Sequence, residues 1–376
     1  MSAIYSCRVK RLIMSSLSSG MKPRRRINSK VLLRTFAVTK QEPLLQMSSD
    51  DQYFFDLQGY VIVRNVLSES EVQEANDIIS RRAKMMSSTP DHDDKVETES
   101  SSSTVIERKH PELRNTLRGT AFSAHGNRKD LGGVLEWGKE DSRLFKSVLA
   151  HPKLIPYFHT LLGYGYRMDH MPFCILQDTD SEGFQLHGGT IDCSNGNYNP
   201  HLAYSYVHGT MQCALLGCNV MLVDHDEGDG GFCIVPGSHK SNFKMPQGMV
   251  DGERYLDYIV QPVTKAGDVV LFSEGTVHGA MAWRSEKQRR TCLYRFGPAD
   301  RAYGRSYLSR YPEGDGGWPA AMYDDMTDAQ RAVLEPPYAI RLDRPTIQPD
   351  CTSVQISSRS SRKKQHDQEV FGTKYF

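Results

Sequence analysis

The chain has 376 residues, of which 39% are hydrophobic and 24% are charged, and its formal net charge at pH 7 is +1. A chain of this length can bury a large core in one or two domains. The longest nearly unbroken apolar run, Cys213 to Val223, is about half as long as the roughly 20 residues that a membrane-spanning helix needs. The sequence therefore predicts a buried strand there and no membrane span.

The first 41 residues are strongly basic, with ten Lys or Arg and no Asp or Glu. Subtracting those ten charges from +1 leaves −9 for residues 42–376, so a nucleic-acid partner is not expected. A basic, serine-containing leader without an apolar core is typical of an organelle transit peptide, and a disordered tail fits it equally well. We interpret residues 1–47 as this leader. The protein is expected to be intracellular, in a mitochondrion or plastid if the leader is a transit peptide and otherwise in the cytoplasm.

The segment after the leader begins with a short packing unit. Residues 60–63 predict a strand, and Ser68 with Glu71 three residues later predicts the capping box of a helix. Residues 86–103 are rich in serine and nearly free of apolar side chains, which predicts a mobile insertion. A second helical segment is predicted near residues 141–162.

Short apolar runs separated by glycine-rich turns extend from Tyr166 to Gly297. Repeated runs of this kind without intervening helices predict an antiparallel sandwich or small barrel. We assign residues 48–345 to one domain and residues 346–376 to a polar, disordered tail. The eight cysteines include no CxxC pair, which favours buried thiols and a reducing compartment.

Two histidines and an arginine are the candidate site residues. His187 and His278 each lie where an apolar run opens into glycines, and Arg289 begins a later run. Imidazole suits iron or zinc, and a guanidinium suits a carboxylate in two-point contact. The ordinary alternatives are histidines bonded to backbone and an arginine at a solvated strand edge.

Four blocks together resemble the phytanoyl-CoA dioxygenase-like branch of the iron(II)/2-oxoglutarate oxygenases, over roughly residues 52–300. They are FFDLQGYVIVRNVLSESEV, LHGG, GDGGFCIVPGSHKSNF, and AGDVVLFSEGTVHGAMAW followed by RRT. The resemblance implies an α+β fold: a double-stranded β-helix core (jelly-roll, cupin-like) with flanking N-terminal helices. It also implies Fe(II) and 2-oxoglutarate as cofactors, with His187 and His278 on the metal and Arg289 on the far carboxylate of 2-oxoglutarate.

The chain departs from the family pattern at Gly189, where the family carries a carboxylate metal ligand. Alternation along a strand would direct position 189 to the same side as His187, and glycine offers no donor there. Three explanations stay open at this point. In the first, another carboxylate is the metal ligand, with Asp192 as the first candidate and Asp224, Asp226 or Asp229 as the next ones. In the second, a halide occupies the position on the metal, as in a radical halogenase. In the third, the metal site is degenerate and the barrel is a non-catalytic binding protein.

The sequence therefore predicts an iron(II)/2-oxoglutarate-dependent dioxygenase that hydroxylates a small or acyl-type organic substrate with O2. The contrasting functions are a halogenase with an open position at Gly189 and a non-catalytic β-barrel binding protein. Dinucleotide, nucleotide, serine-hydrolase and zinc-protease functions lose support, because the chain contains none of their short motifs. Neither the substrate nor the oligomeric state follows from the sequence.

Overall fold

The computed structural model describes residues 46–87, 105–108, 120–304, 318–337, 344–357 and 361–372, all within one compact unit, Pro43–Phe376. The α-helices of these ranges are α1 Ser49–Gln58, α2 Glu69–Ser87, α3 Lys139–Ser147, α4 Ile155–Leu162, α5 Gln247–Val250, α6 Asp328–Val333 and α7 Ser361–Phe371. The strands are β1 Tyr60–Val63, β2 Val105–Arg108, β3 Arg128–Leu131, β4 Arg167–Gln177, β5 Phe184–His187, β6 Tyr204–Val207, β7 Thr210–Cys213, β8 Leu216–Met221, β9 Gly231–Ile234, β10 Val269–Ser273, β11 His278–Met281, β12 Arg289–Gly297, β13 Arg344–Ile347 and β14 Val354–Ser357.

Two antiparallel sheets form the jelly-roll core. The larger sheet has the order β1-β10-β8-β12-β4-β3-β2, and the smaller sheet has the order β5-β11-β9. Two further pairs, β6 with β7 and β13 with β14, are hairpins. This architecture confirms the predicted α+β class with a double-stranded β-helix core.

Strand alternation divides the larger sheet into two chemically different faces. On β8, Val220 belongs to an apolar cluster shared with α2, α3 and α4, whereas Met221 packs with Phe232 of the smaller sheet. On β12, Phe296 lies in the helix-facing cluster, and Arg289 lies on the other face and lines a cavity. Successive side chains of a strand point to opposite faces, so the polar site groups share the face between the sheets.

The N-terminal helices begin and end as local sequence dictates. Ser48 caps α1, since its hydroxyl accepts a hydrogen bond from the Asp51 N–H at 3.0 Å. Gly59 ends α1 with φ 84°, a left-handed conformation that favours glycine. The predicted capping box of α2 is confirmed: the Ser68 N–H donates to Glu71 Oε2 at 2.8 Å, and the Glu71 N–H donates to Ser68 Oγ at 3.3 Å.

The predicted helical segment 141–162 consists of two helices, α3 and α4, separated at His151-Pro152. The cause is local, because a proline disfavours helical backbone at the residue before it, and His151 is extended with ψ 128°. The seven cysteines within the described ranges are all buried and free, in agreement with their prediction as small apolar residues.

The segment predicted to be a disordered tail, residues 346–376, is partly ordered. Strands β13 and β14 pair there, and Ile347 and Cys351 are buried in the main apolar cluster. These few apolar side chains stabilise the hairpin by packing onto α6, a tertiary contact that composition does not reveal. Residues 1–45 of the predicted leader and residues 88–104, nearly all of the predicted insertion, lie outside the described ranges. The domain boundaries 1–47, 48–345 and 346–376 stay predictions.

Candidate metal and carboxylate site

The two candidate histidines lie side by side on neighbouring strands. His187 ends β5 and His278 begins β11, and the two residues are direct cross-strand partners. Their ring centroids are 4.3 Å apart. Ninety-one residues of chain separate them in sequence, so the antiparallel pairing of β5 with β11 brings them together.

Backbone hydrogen bonds orient both imidazoles in the same way. The Nδ1 atom of His187 lies 3.0 Å from the Gln185 carbonyl oxygen, and that of His278 lies 2.8 Å from the Thr276 carbonyl oxygen. A neutral ring that donates from Nδ1 leaves Nε2 unprotonated. Burial lowers the pKa of both rings, that of His187 to about 3, so both are neutral at pH 7. Each ring therefore offers one nitrogen lone pair to a metal ion.

Arg289 is buried at the start of β12, with 2% of its surface exposed. Its Nη1 donates to the Gln177 side-chain carbonyl, while its Nε has no hydrogen-bond partner among the described residues. Gly231 leaves room for the guanidinium, since a Cβ at that position would lie 2.9 Å from Arg289 Nε. Burial lowers the pKa of Arg289 to about 9, which still leaves it charged at pH 7.

All three predicted site residues line one cavity of about 290 Å³. Two other arginines line it, and each is paired: Arg128 with Asp130 at 2.7 Å and Arg295 with Glu274 at 2.6 Å. In the described part of the chain Arg289 has no ion-pair partner, so its charge is available to a ligand. Four phenylalanines make much of the remaining wall aromatic: Phe173, Phe184, Phe232 and Phe272.

Position 189 does not face the site. The β5 strand ends at His187, and both following glycines have positive φ, 81° at Gly188 and 103° at Gly189. A Cβ at position 189 would lie 2.5 Å from the Ile191 carbonyl oxygen and 3.1 Å from a Val277 methyl. The expectation that residues 187 and 189 point the same way is therefore wrong, because it assumes that the strand continues.

Asp192 lies in a turn on the other side of His187. Its Oδ1 accepts from the backbone N–H groups of Ser194 at 2.8 Å and Asn195 at 3.1 Å. It lines a second cavity of about 250 Å³, which shares His187 with the first but contains neither His278 nor Arg289. The other three candidates bond locally: Lys265 contacts Asp224 and Asp226, and Asp229 accepts from the Asp226 N–H. Asp192 thus shares a cavity with His187 but not with His278, and none of the four aspartates lines the cavity that contains the histidine pair.

Glu274 is the carboxylate that sequence reasoning missed. It is 4% exposed, and its Oε2 lies 3.4 Å from His278 Nε2. Its Oε1 accepts a hydrogen bond from Arg295 Nε at 2.6 Å. Burial acts to raise the pKa of Glu274, but the charge of Arg295 and its hydrogen bond to the carboxylate lower it to about 2, so the group is ionised at pH 7. The available signal was an acidic residue four positions before His278, directly after the strand Val269–Ser273.

The donor set suits iron. Two neutral imidazoles with a carboxylate beside them are the ligand types of non-haem iron(II) sites. Within the described ranges, no three His, Cys, Asp or Glu side chains are already arranged around one metal position. The orphaned Nε of Arg289 suits a carboxylate ligand in the same cavity. The residues present therefore fit an iron(II) ion and 2-oxoglutarate.

A jelly-roll core with paired histidines and a buried arginine in its cavity defines the cupin-like oxygenase class. Residues 55–291 match the phytanoyl-CoA dioxygenase family, and the chain belongs to that family. The match includes both histidines and Arg289. Family membership identifies the protein as an enzyme of the iron(II)/2-oxoglutarate-dependent oxygenase type.

Solved structures of HygX share the fold at low sequence identity. HygX from Streptomyces hygroscopicus, with nickel and 2-oxoglutarate bound, is 18% identical with a TM-score of 0.51, covering 68% of this chain and 89% of HygX. A second HygX structure, which also contains hygromycin B, gives the same values. The α-ketoglutarate-dependent epimerase SnoN from nogalamycin biosynthesis has a TM-score of 0.44 at 18% identity, covering 72% of this chain and 92% of SnoN. No curated protein matches the chain significantly. Among the described helices, none combines the length and apolar character needed to cross a membrane.

Proposed function

We propose that the protein is an iron(II)- and 2-oxoglutarate-dependent hydroxylase of a small or acyl-type organic substrate. The observation that carries the proposal is the meeting of His187, His278 and Arg289 in one cavity. Two lone-pair nitrogens beside an unpaired, buried cation match a metal ion chelated by a carboxylate-bearing molecule. Family membership supports the same cofactors.

Each residue has a definite task in this function. His187 and His278 hold the metal through Nε2, and their Nδ1 bonds to backbone carbonyls keep the rings oriented. Arg289 binds the far carboxylate of 2-oxoglutarate and so fixes the orientation of the oxoacid. Bound iron(II) supplies the redox chemistry that activates O2.

The aromatic wall of the cavity determines how much water reaches the reacting atoms. Phe232 and Phe272 pack against the His278 ring, with ring centroids 6.2 and 4.7 Å away. Apolar surface beside the metal ligands excludes water and strengthens the interaction of Arg289 with its anion. In the overall reaction, substrate C–H, O2 and 2-oxoglutarate give substrate C–OH, succinate and CO2.

Hydroxylation is preferred to halogenation because of the charge beside the histidines. A halide requires a position free of carboxylate, and the Glu274 carboxylate lies 3.4 Å from His278 Nε2. A second anion at that point would be repelled at close range.

An anaerobic titration tests the proposal. The purified protein receives iron(II) and then 2-oxoglutarate, and the expected result is a weak visible charge-transfer band from the bound chelate. Admitting air should then consume 2-oxoglutarate and release succinate in equal amounts. Arg289→Met is the matched variant, and it should require far more 2-oxoglutarate to give the band.

The absence of both the band and succinate would contradict the catalytic proposal and favour a non-catalytic binding protein. Succinate formation with a chlorinated or brominated product would instead support the halogenase.

The leader has its own test: residues 1–47 fused to a fluorescent protein should direct it to a mitochondrion or plastid if they form a transit peptide.

A further inference from the structure

We propose that Glu274 supplies the carboxylate ligand that position 189 lacks, so that His187, His278 and Glu274 hold the metal together. The inference rests on the proposed function, since it concerns the same metal. It replaces the usual source of the carboxylate, two residues after the first histidine, with a residue four positions before the second histidine.

Proximity and burial point to Glu274 among the carboxylates of the described residues. Its Oε2 is 3.4 Å from His278 Nε2, the ring atom left free by the Nδ1 bond to the backbone. Donors that bind one metal at about 2 Å in neighbouring positions lie about 3 Å apart, so this distance is close to that of a shared ion. Asp192, by contrast, is held by the N–H groups of its own turn.

The backbone of Glu274 is fixed, and its side chain is held by few bonds. The Glu274 N–H donates to the Leu215 carbonyl at 3.1 Å, and the Thr276 N–H donates to the Ser273 carbonyl at 2.8 Å. The carboxylate itself contacts Arg295 through Oε1 and His278 through Oε2. Rotation about its own side-chain bonds therefore reorients Oε2 without disturbing the backbone.

The glycine pair and Glu274 depend on each other. The Gly189 N–H donates to the Glu274 carbonyl at 3.2 Å, and the Thr190 N–H donates to the Gly275 carbonyl at 3.0 Å. A Cβ at position 188 would lie 2.8 Å from the Glu274 carbonyl oxygen and 3.2 Å from His278 Cε1. Only glycine at position 188 lets the backbone of Glu274 pack this closely against the turn after His187. The glycine pair therefore has two effects: it provides no carboxylate at position 189, and it leaves room for the backbone of Glu274.

Arg295 compensates the negative charge of the buried Glu274 carboxylate in the metal-free protein. Its Nε lies 2.6 Å from Oε1, which leaves Oε2 as the oxygen directed to His278. A buried charge is costly unless it is paired and hydrogen-bonded. The ion pair supplies that partner on one carboxylate oxygen and leaves the other oxygen for a metal ion.

Cobalt(II) is the probe, because its visible absorption reports both affinity and ligand number without turnover. The full-length protein, freed of metal, is titrated with cobalt(II) in the absence of 2-oxoglutarate. Glu274→Gln keeps the size of the side chain and should weaken cobalt binding by more than tenfold. Asp192→Asn, the matched control, should bind within about twofold of wild type.

Halide sensitivity gives a second measurement, a comparison of the wild-type protein with Glu274→Gly. With Glu274 on the metal, chloride should shift the cobalt spectrum of Glu274→Gly at a concentration at least about tenfold lower than for the wild-type protein. The variant opens one more metal position and removes the negative charge beside it.

A folded Glu274→Gln protein with wild-type affinity and spectrum would overturn the proposal, as would equal chloride sensitivity of the wild-type protein and Glu274→Gly or a larger loss for Asp192→Asn. Removing Glu274 leaves Arg295 without its partner, so Glu274→Gln is repeated in an Arg295→Gln background, and thermal melts report folding. If the wild-type protein itself binds no cobalt(II) or iron(II), the proposed function fails instead. If only the glutamate variants behave like wild type, the function stands and this inference fails.

Discussion

Replacing Arg289 with methionine should separate stability from cofactor binding. The guanidinium is 2% exposed, and burial lowers its pKa from 12.5 to about 9. At 1.36 kcal/mol per pH unit this corresponds to about 5 kcal/mol of lost solvation, as an upper bound. Leaving the Gln177 carbonyl without its donor costs about 1–3 kcal/mol. The free energy of unfolding of Arg289→Met should therefore rise by about 2 kcal/mol.

The same substitution should nearly abolish 2-oxoglutarate binding. Methionine cannot donate hydrogen bonds, and the loss of a two-point contact with a carboxylate is worth about 3 kcal/mol, or roughly a hundredfold in Kd. Urea denaturation measures the stability, and the anaerobic charge-transfer titration measures the affinity. Both measurements are made on the same preparation.

Arg290→Met is the control, because Arg290 lies next to Arg289 but on the opposite face of β12. Its Nη1 donates to the Asn76 carbonyl and to Ser80 Oγ, both at 2.9 Å on α2. This variant should lose about 1 kcal/mol of stability and keep its 2-oxoglutarate affinity. If Arg289→Met instead unfolds more easily than wild type and still binds 2-oxoglutarate normally, Arg289 is a structural cation and the assigned role is wrong.

Three further predictions test other parts of the structure. Burial lowers the pKa of His225 to about 3. Below pH 6.5 the unfolded state therefore binds a proton that the folded state does not bind, and the free energy of unfolding decreases as the pH is lowered. Between pH 7 and pH 5 this loss is about 2 kcal/mol, which His225→Gln should remove from the pH dependence of the urea midpoint. Gly188→Ala should lower the free energy of unfolding in the same denaturation assay by about 3 kcal/mol or more, because its Cβ would meet the Glu274 carbonyl. Gly228→Ala is the control: Gly228 also has positive φ but open space around it, so the loss should be only about 1 kcal/mol. Gly189→Asp should destabilise the protein and leave cobalt(II) affinity unimproved, since its side chain would start 2.5 Å from the Ile191 carbonyl; a tighter site would contradict this geometry.

The meeting of His187, His278 and Arg289 could be predicted because each signal is local. Each histidine lies at a strand end next to glycine, and Arg289 begins a strand at fixed spacing after His278. The repetition of short strands and turns predicted an antiparallel sandwich or barrel, and the family resemblance implied the jelly roll. The capping box at Ser68 and Glu71 was readable because both partners lie within one helical turn.

The error at Gly189 has a different origin. Extending the strand period beyond His187 directed position 189 to the metal, whereas two residues with positive φ turn the chain away. Their left-handed conformation is stabilised by hydrogen bonds from Gly189 and Thr190 to the turn at Glu274 and Gly275. Those partners lie about 85 residues away along the chain, and no pattern near position 189 reports them.

The amino-acid sequence by itself determined the strand-rich class, the helix starts and the identity of the two imidazoles, because periodicity and capping act over a few neighbouring residues. Only the tertiary structure decided which carboxylate stands beside them. Glu274 reaches His278 through a tight turn whose position depends on the pairing of β11 with β5 and on an arginine of β12. Contacts between residues distant in sequence are selected by the packing of the two sheets, and packing is a property of the folded chain.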